Sequence, residues 1–96
     1  MEHPITSYII DLVTANFNLQ RRDIDVLASP RKIIVTWDSK NSFFTLAVHI
    51  RPQGYLVKII FPYYQQSISV QTKYQLYTII YHIIQDYSIY KPNVNY

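Results

Sequence analysis

The chain has 96 residues, a formal charge of +3 and no cysteine, which bounds it to one small domain and excludes disulfides, thiol catalysis and cysteine-based zinc sites. Apolar residues make up 49% and charged residues only 16%, so a packed core is available while Ser, Thr, Asn and Gln carry much of the solubility. Nine basic residues against six acidic ones, with Glu2 the only glutamate, permit nucleic acid or an acidic partner without demanding either.

The start, Met-Glu-His-Pro, lacks the basic head and long apolar run of a signal peptide. Residues 4 to 18 read as an amphipathic helix: Pro4 suits the first turn, and Ile5, Tyr8, Ile9, Leu12, Val13 and Phe17 form one apolar stripe. Asp23 to Leu27 is ambiguous between a short edge strand and a loop, because Ile24 and Val26 alternate with aspartates. Ser29-Pro30 marks a turn, and Lys32 to Asp38 is a clear β-branched strand ending in Trp37 and Asp38. Asp38-Ser39-Lys40-Asn41 reads as a hairpin turn, Ser42 to Arg51 as a second strand, and Pro52-Gln53-Gly54 as a turn using the single glycine. Tyr55 to Phe61 is a third strand, stopped by Pro62.

A polar stretch around Gln65-Gln66-Ser67 then leads into a second helix over roughly Ser69 to Tyr87, with Ser67 or Ser69 as the cap. This helix carries Lys73, Gln75, His82 and Gln85, which excludes it as a membrane span. Residues 1–87 are expected to form a single α+β domain, and 88–96, with Pro92 and two asparagines, a loosely held tail. Short loops make the strands antiparallel neighbours. The expected fold is a two-layer α+β sandwich, a meander of three to four antiparallel strands with an N-terminal and a C-terminal helix on one face. The expected location is cytoplasmic, with no membrane contact.

Alternation assigns the faces. Phe44, Leu46, Val48 and Ile50 should face the helices, since the opposite row contains His49 and Arg51. By the same rule Ile33, Val35 and Trp37 go inside, as do Tyr55, Val57, Ile59 and Phe61. The outer face then holds Ile34, Phe43, Ala47, Leu56 and Ile60 among polar and charged residues. That surplus reads as a contact surface for a second copy, giving a homodimer, or for another protein.

Eight of the ten tyrosines follow residue 62. On the second helix Leu76, Ile80, Ile83 and Tyr87 form the core-facing sector, and Tyr74, Tyr77 and Tyr81, with Val70, form an adjacent shoulder. The shoulder is expected to close on the first helix near Tyr8 and Phe17, or to dock a partner.

No catalytic motif, metal-type histidine spacing or glycine-rich phosphate loop occurs, and no cofactor is expected. Asp23 and Asp25 on one strand would share a side and could hold a divalent cation, and a hydrolase centred on them or on His49 is a distant reading. The main alternative to a protein-interaction module is a nucleic-acid-binding domain using Arg21, Arg22, Arg31, Lys32, His49, Arg51 and Lys58. The helix–three strands–helix order is also that of double-stranded-RNA-binding domains. Here, however, the approach to the second helix, Ser67-Ile68-Ser69-Val70-Gln71-Thr72-Lys73, holds one lysine in place of a basic cluster. No family is assigned.

Overall fold

The computed structural model describes residues 3–88. In chain order it comprises α1 (Pro4–Phe17), a 3₁₀ turn (Arg21–Asp23), β1 (Ile24–Ser29), β2 (Lys32–Ser39), β3 (Ser42–Arg51), β4 (Gly54–Phe61), β5 (Tyr64–Val70) and α2 (Lys73–Ser88). The strands form one antiparallel sheet in the order β1-β2-β3-β4-β5. The α+β order and antiparallel meander are as the sequence predicts, but the sheet has five strands.

Both extra strands have local causes. The ambiguous segment is β1, pairing Ile24 with Trp37 and Val26 with Val35, so its two apolar side chains lie over the core. The polar lead-in to the predicted second helix, together with that helix's expected first residues Ser69 and Val70, is β5. Pro62 and Tyr63 make a two-residue turn, with Tyr63 at φ 67°, that folds the chain back along β4. Tyr64, Ile68 and Val70 then face the core while Gln65, Ser67 and Ser69 point away. Val70 therefore belongs to the sheet, and neither Ser67 nor Ser69 caps a helix. The cap is Thr72: its Oγ1 accepts from the Gln75 N–H at 3.1 Å, and Gln75 Oε1 accepts from the Thr72 N–H at 3.2 Å. That reciprocal pair is a capping box.

In α1, Pro4 occupies the first turn, and Asn18 ends the helix in the left-handed region at φ 57°. Ile9, Val13, Ile33, Val35, Leu46, Val48, Val57, Ile80 and Ile84 have no solvent exposure. Each such burial contributes about 1.5–3 kcal/mol. At the β2–β3 hairpin end the core is aromatic. Trp37 stacks on its cross-strand partner Phe44 with ring centroids 5.5 Å apart, and Phe17 and Phe61 meet this pair edge-on. Tyr87 closes the cluster against Phe61 and Tyr64 at 5.5 and 4.8 Å. The predicted tail begins inside the last turn of α2 at Ser88, and the rest of it lies outside the described residues.

Gly54 lies where β4 begins, beside the end of β5, at φ +146°, and a Cβ built there would sit 2.4 Å from the Val70 carbonyl oxygen. Gly54→Ala should lower stability by about 2 kcal/mol or more in urea unfolding, through both the clash and the backbone strain. Thr6 is fully buried in α1, and its Oγ1 has no hydrogen-bond partner among the described residues. Thr6→Val keeps the shape and removes the orphaned hydroxyl, so it should raise stability by about 1 kcal/mol, read as a higher urea midpoint at unchanged slope.

Candidate interaction surface

Both helices lie on one face of the sheet, so among the described residues the opposite face is built by the strands alone. Register defines it. One row runs across it as Leu27, Ile34, Ala47, Lys58 and Ser67, each paired to the next. Toward the β2–β3 hairpin follow Asp25, Thr36, Thr45, Ile60 and Gln65, then Asp38 opposite Phe43. In the other direction lie Ser29, Lys32, His49, Leu56 and Ser69, then Arg51 opposite Gly54. All the outer-face assignments made from alternation are thus met.

The five apolar residues named from the sequence form a band across this face. Phe43 is 58% and Ile60 50% exposed, Ile34 and Leu56 are half-buried, and Ala47 is buried between its neighbours. Leu27, 71% exposed and directly opposite Ile34, extends the band. Sequence reasoning missed it, although the inward alternation of Ile24 and Val26 already implies that Leu27 points out.

The charges on this face are polarised. Asp25 and Asp38 lie on the β2–β3 hairpin side of the central row, whereas Lys32, His49 and Arg51 lie on the other side, with Lys58 in the row itself. Partial burial, and then the charges of Lys32, Lys58 and Arg51, hold the His49 imidazole below its usual 6.5.

The remaining predicted contacts disperse. Arg31 sits in the β1–β2 loop, where its carbonyl accepts from the Ile50 N–H at 2.8 Å. Arg21 and Arg22 lie in the 3₁₀ turn before β1, at the far end of that strand. Arg21 Nη1 donates to the Ile24 carbonyl at 3.0 Å. The seven-residue basic set therefore does not form one surface; its convergent part is Lys32, His49, Arg51 and Lys58. Asp23 also falls outside the strand. It accepts the Gln20 N–H at 2.9 Å, so Asp23 and Asp25 do not form the same-side pair a strand would give. Among the described residues no three His, Asp or Glu side chains are grouped to hold a metal.

The tyrosine shoulder divides. Tyr77 packs on Tyr8, ring centroids 4.6 Å apart, and its carbonyl accepts from the Tyr8 hydroxyl at 3.4 Å. Burial, reinforced by the neighbouring Tyr81 and Tyr77, pushes the Tyr8 phenol above its usual 10.0. Tyr74 and Tyr81 stay 80% and 41% exposed. Phe17, the other neighbour expected for the shoulder, packs instead on Trp37 and Phe44.

No protein-family model, curated protein or solved structure matches the chain. No helix among the described residues is long and apolar enough to cross a membrane.

The His49 environment has a measurable consequence. Its folded-state value lies below the unfolded 6.5, so the unfolded chain binds the extra proton. Stability is unaffected by His49 above that pH and declines as pH falls from there toward the folded value. Urea unfolding across this window should show a slope that His49→Gln reduces, and the His49 NMR titration should move upward in Lys32→Gln.

Proposed function

We propose that the protein is a small non-enzymatic interaction module that associates with a second copy through the open face of its sheet. The observation carrying this reading is the combination of an apolar band with charges sorted to its two sides. A two-fold axis running across the strands near Ala47 reverses strand direction. It brings Asp38 of one copy over the end that carries Lys32 and Arg51 in the other. The same rotation sets Ile60 above Leu56 and Phe43 toward Arg51, an aromatic face toward a guanidinium. The one like-charge approach is Lys58 toward its own image, and the long side chain can swing clear to solvent.

Sedimentation velocity tests the reading. The wild-type chain should sediment as a dimer and Phe43→Asp as a folded monomer. Asp38→Lys and Arg51→Asp should each weaken association about tenfold, near 1.4 kcal/mol, and combining the two reversals should recover much of the loss. A wild-type monomer, or a dimer indifferent to Phe43→Asp and to both reversals, would remove the sheet face from consideration.

A second reading, single-stranded nucleic acid on the same face, is favoured by the gathering of Lys32, His49, Arg51 and Lys58 beside Leu56. Titration with single- and double-stranded probes at about 50 mM salt decides it, because phosphate contacts are strongest at low ionic strength. The readings part on Asp38→Lys, which should weaken the dimer but strengthen binding to a polyanion. Absence of binding at that salt ends the second reading.

A further inference from the structure

The meander has two edges, and the fold treats them differently. In a two-residue hairpin the closing pair exchanges both backbone bonds, and bonded and free positions alternate from there. On β1, closed at Ser29–Lys32, the groups of Ile24, Val26 and Ala28 face the free edge. The first of these is capped: the Ile24 N–H donates to the Arg21 carbonyl, and its carbonyl accepts from the Arg21 guanidinium. The strand also carries Asp25, and an arginine follows it in the loop. These are the usual means of blunting an edge.

On β5, closed at Phe61–Tyr64, the same rule turns the backbone groups of Gln65, Ser67 and Ser69 outward. No partner takes them among the described residues. No residue from 62 to 72 is charged, and after Pro62 none is proline. Beside this edge runs a groove whose floor is Ser69 and Val70 and whose wall is Gln75, Ile79 and His82 of α2. This wall is the flank of α2 turned away from Tyr77 and α1.

We infer that the β5 edge and the adjoining flank of α2 form a strand-addition site for an extended, uncharged segment of a partner protein. The edge selects an extended backbone, because only a strand can meet alternating N–H and C=O groups at Gln65, Ser67 and Ser69. The groove selects side chains. Alternate residues of the added strand lie on the helix side, where Val70 and Ile79 offer apolar surface and His82 and Gln75 polar tips. The uncharged strand selects against charge, since an ionised side chain laid along it would lose water and gain no counter-charge. A second copy fits this edge less well. Pairing β5 with its own image about Ser67 sets the flank of Gln75, Ile79 and His82 against itself, like group near like group. The site is independent of the open sheet face, because its hydrogen bonds lie in the plane of the sheet.

Short random peptides displayed on phage and panned on the immobilised full chain test the inference. Enriched peptides should be uncharged, with β-branched or aromatic residues at alternate positions. A synthetic copy should bind Ser67→Pro about tenfold or more weakly, because proline there removes an outward N–H while leaving the β4–β5 ladder intact. N-methylating the peptide's alternate amides should abolish binding in one register and spare it in the other, a readout that needs no variant to fold. The Phe43→Asp chain should bind the peptide as wild type does. No enrichment over a bare surface, or binding indifferent to both Ser67→Pro and N-methylation, overturns the inference. So does a wild-type dimer that Ser67→Pro dissociates, which would assign the edge to a second copy.

Discussion

Each of the four hairpins is closed by two residues: Ser29 pairs with Lys32, Ser39 with Ser42, Arg51 with Gly54, and Phe61 with Tyr64. A loop that short leaves no freedom of register, and the rest of the molecule depends on it. Because the two closing residues are three apart in sequence, inward positions switch parity at every turn. They are even in β1, β3 and β5 and odd in β2 and β4. Ile24, Trp37, Phe44, Phe61 and Tyr64 obey this rule. One residue added to any loop would turn a whole strand over and put its core row into water. Glycine supplies none of the loops. Lys40 and Asn41 hold φ of 52° and 63°, and Tyr63 holds 67°. Asparagine tolerates this region, but for Lys40 and Tyr63 it costs about 1–2 kcal/mol each, which the strands on either side must offset.

Fixed register also explains why so much was legible. Three strands contain a clean apolar row opposite one interrupted by charge, at Asp38, Arg51 and Lys58, so alternation alone sorts inner from outer residues. The helix stripes were equally readable, since Ile5, Ile9 and Val13, and Leu76, Ile80 and Ile83, recur at helical spacing. The capping box was present in the sequence as Thr72-Lys73-Tyr74-Gln75, although two nearby serines drew the predicted start of α2 upstream.

What escaped was decided by tertiary context. In β5 the outward set is Gln65, Ser67 and Ser69, and the inward Gln66 is polar too, so the period-2 signal is too weak to identify a strand. What commits this segment is the sharp reversal at Pro62-Tyr63, which lays it against β4. Leu27 escaped because a segment that could not be assigned as a strand could not be given an outer face. The tyrosines share one sector of α2, but sector alone cannot tell which will meet α1. Tyr77 does, because Tyr8 lies across from it. Tyr74, a turn before it, remains largely in solvent, and Tyr81, a turn after it, is only partly exposed.

A five-strand meander with both helices on one side leaves two kinds of unsatisfied surface, and they differ in chemistry. A partner for the open face would be recognised by area and charge, through a band of apolar side chains and a matching sorting of acids and bases. The same chain carries that pattern, which is what supports the proposed association with a second copy. The β5 edge is satisfied by backbone, so what covers it need only be extended and free of charge. Covering the face buries side chains along the sheet normal and leaves the edge groups pointing sideways into water. Occupying one surface therefore does not consume the other. A dimer joined through its faces would hold two β5 edges on the outside of a sandwich. Each edge would keep its own α2 beside it, and a protein of this size would present two strand-binding grooves at a fixed separation.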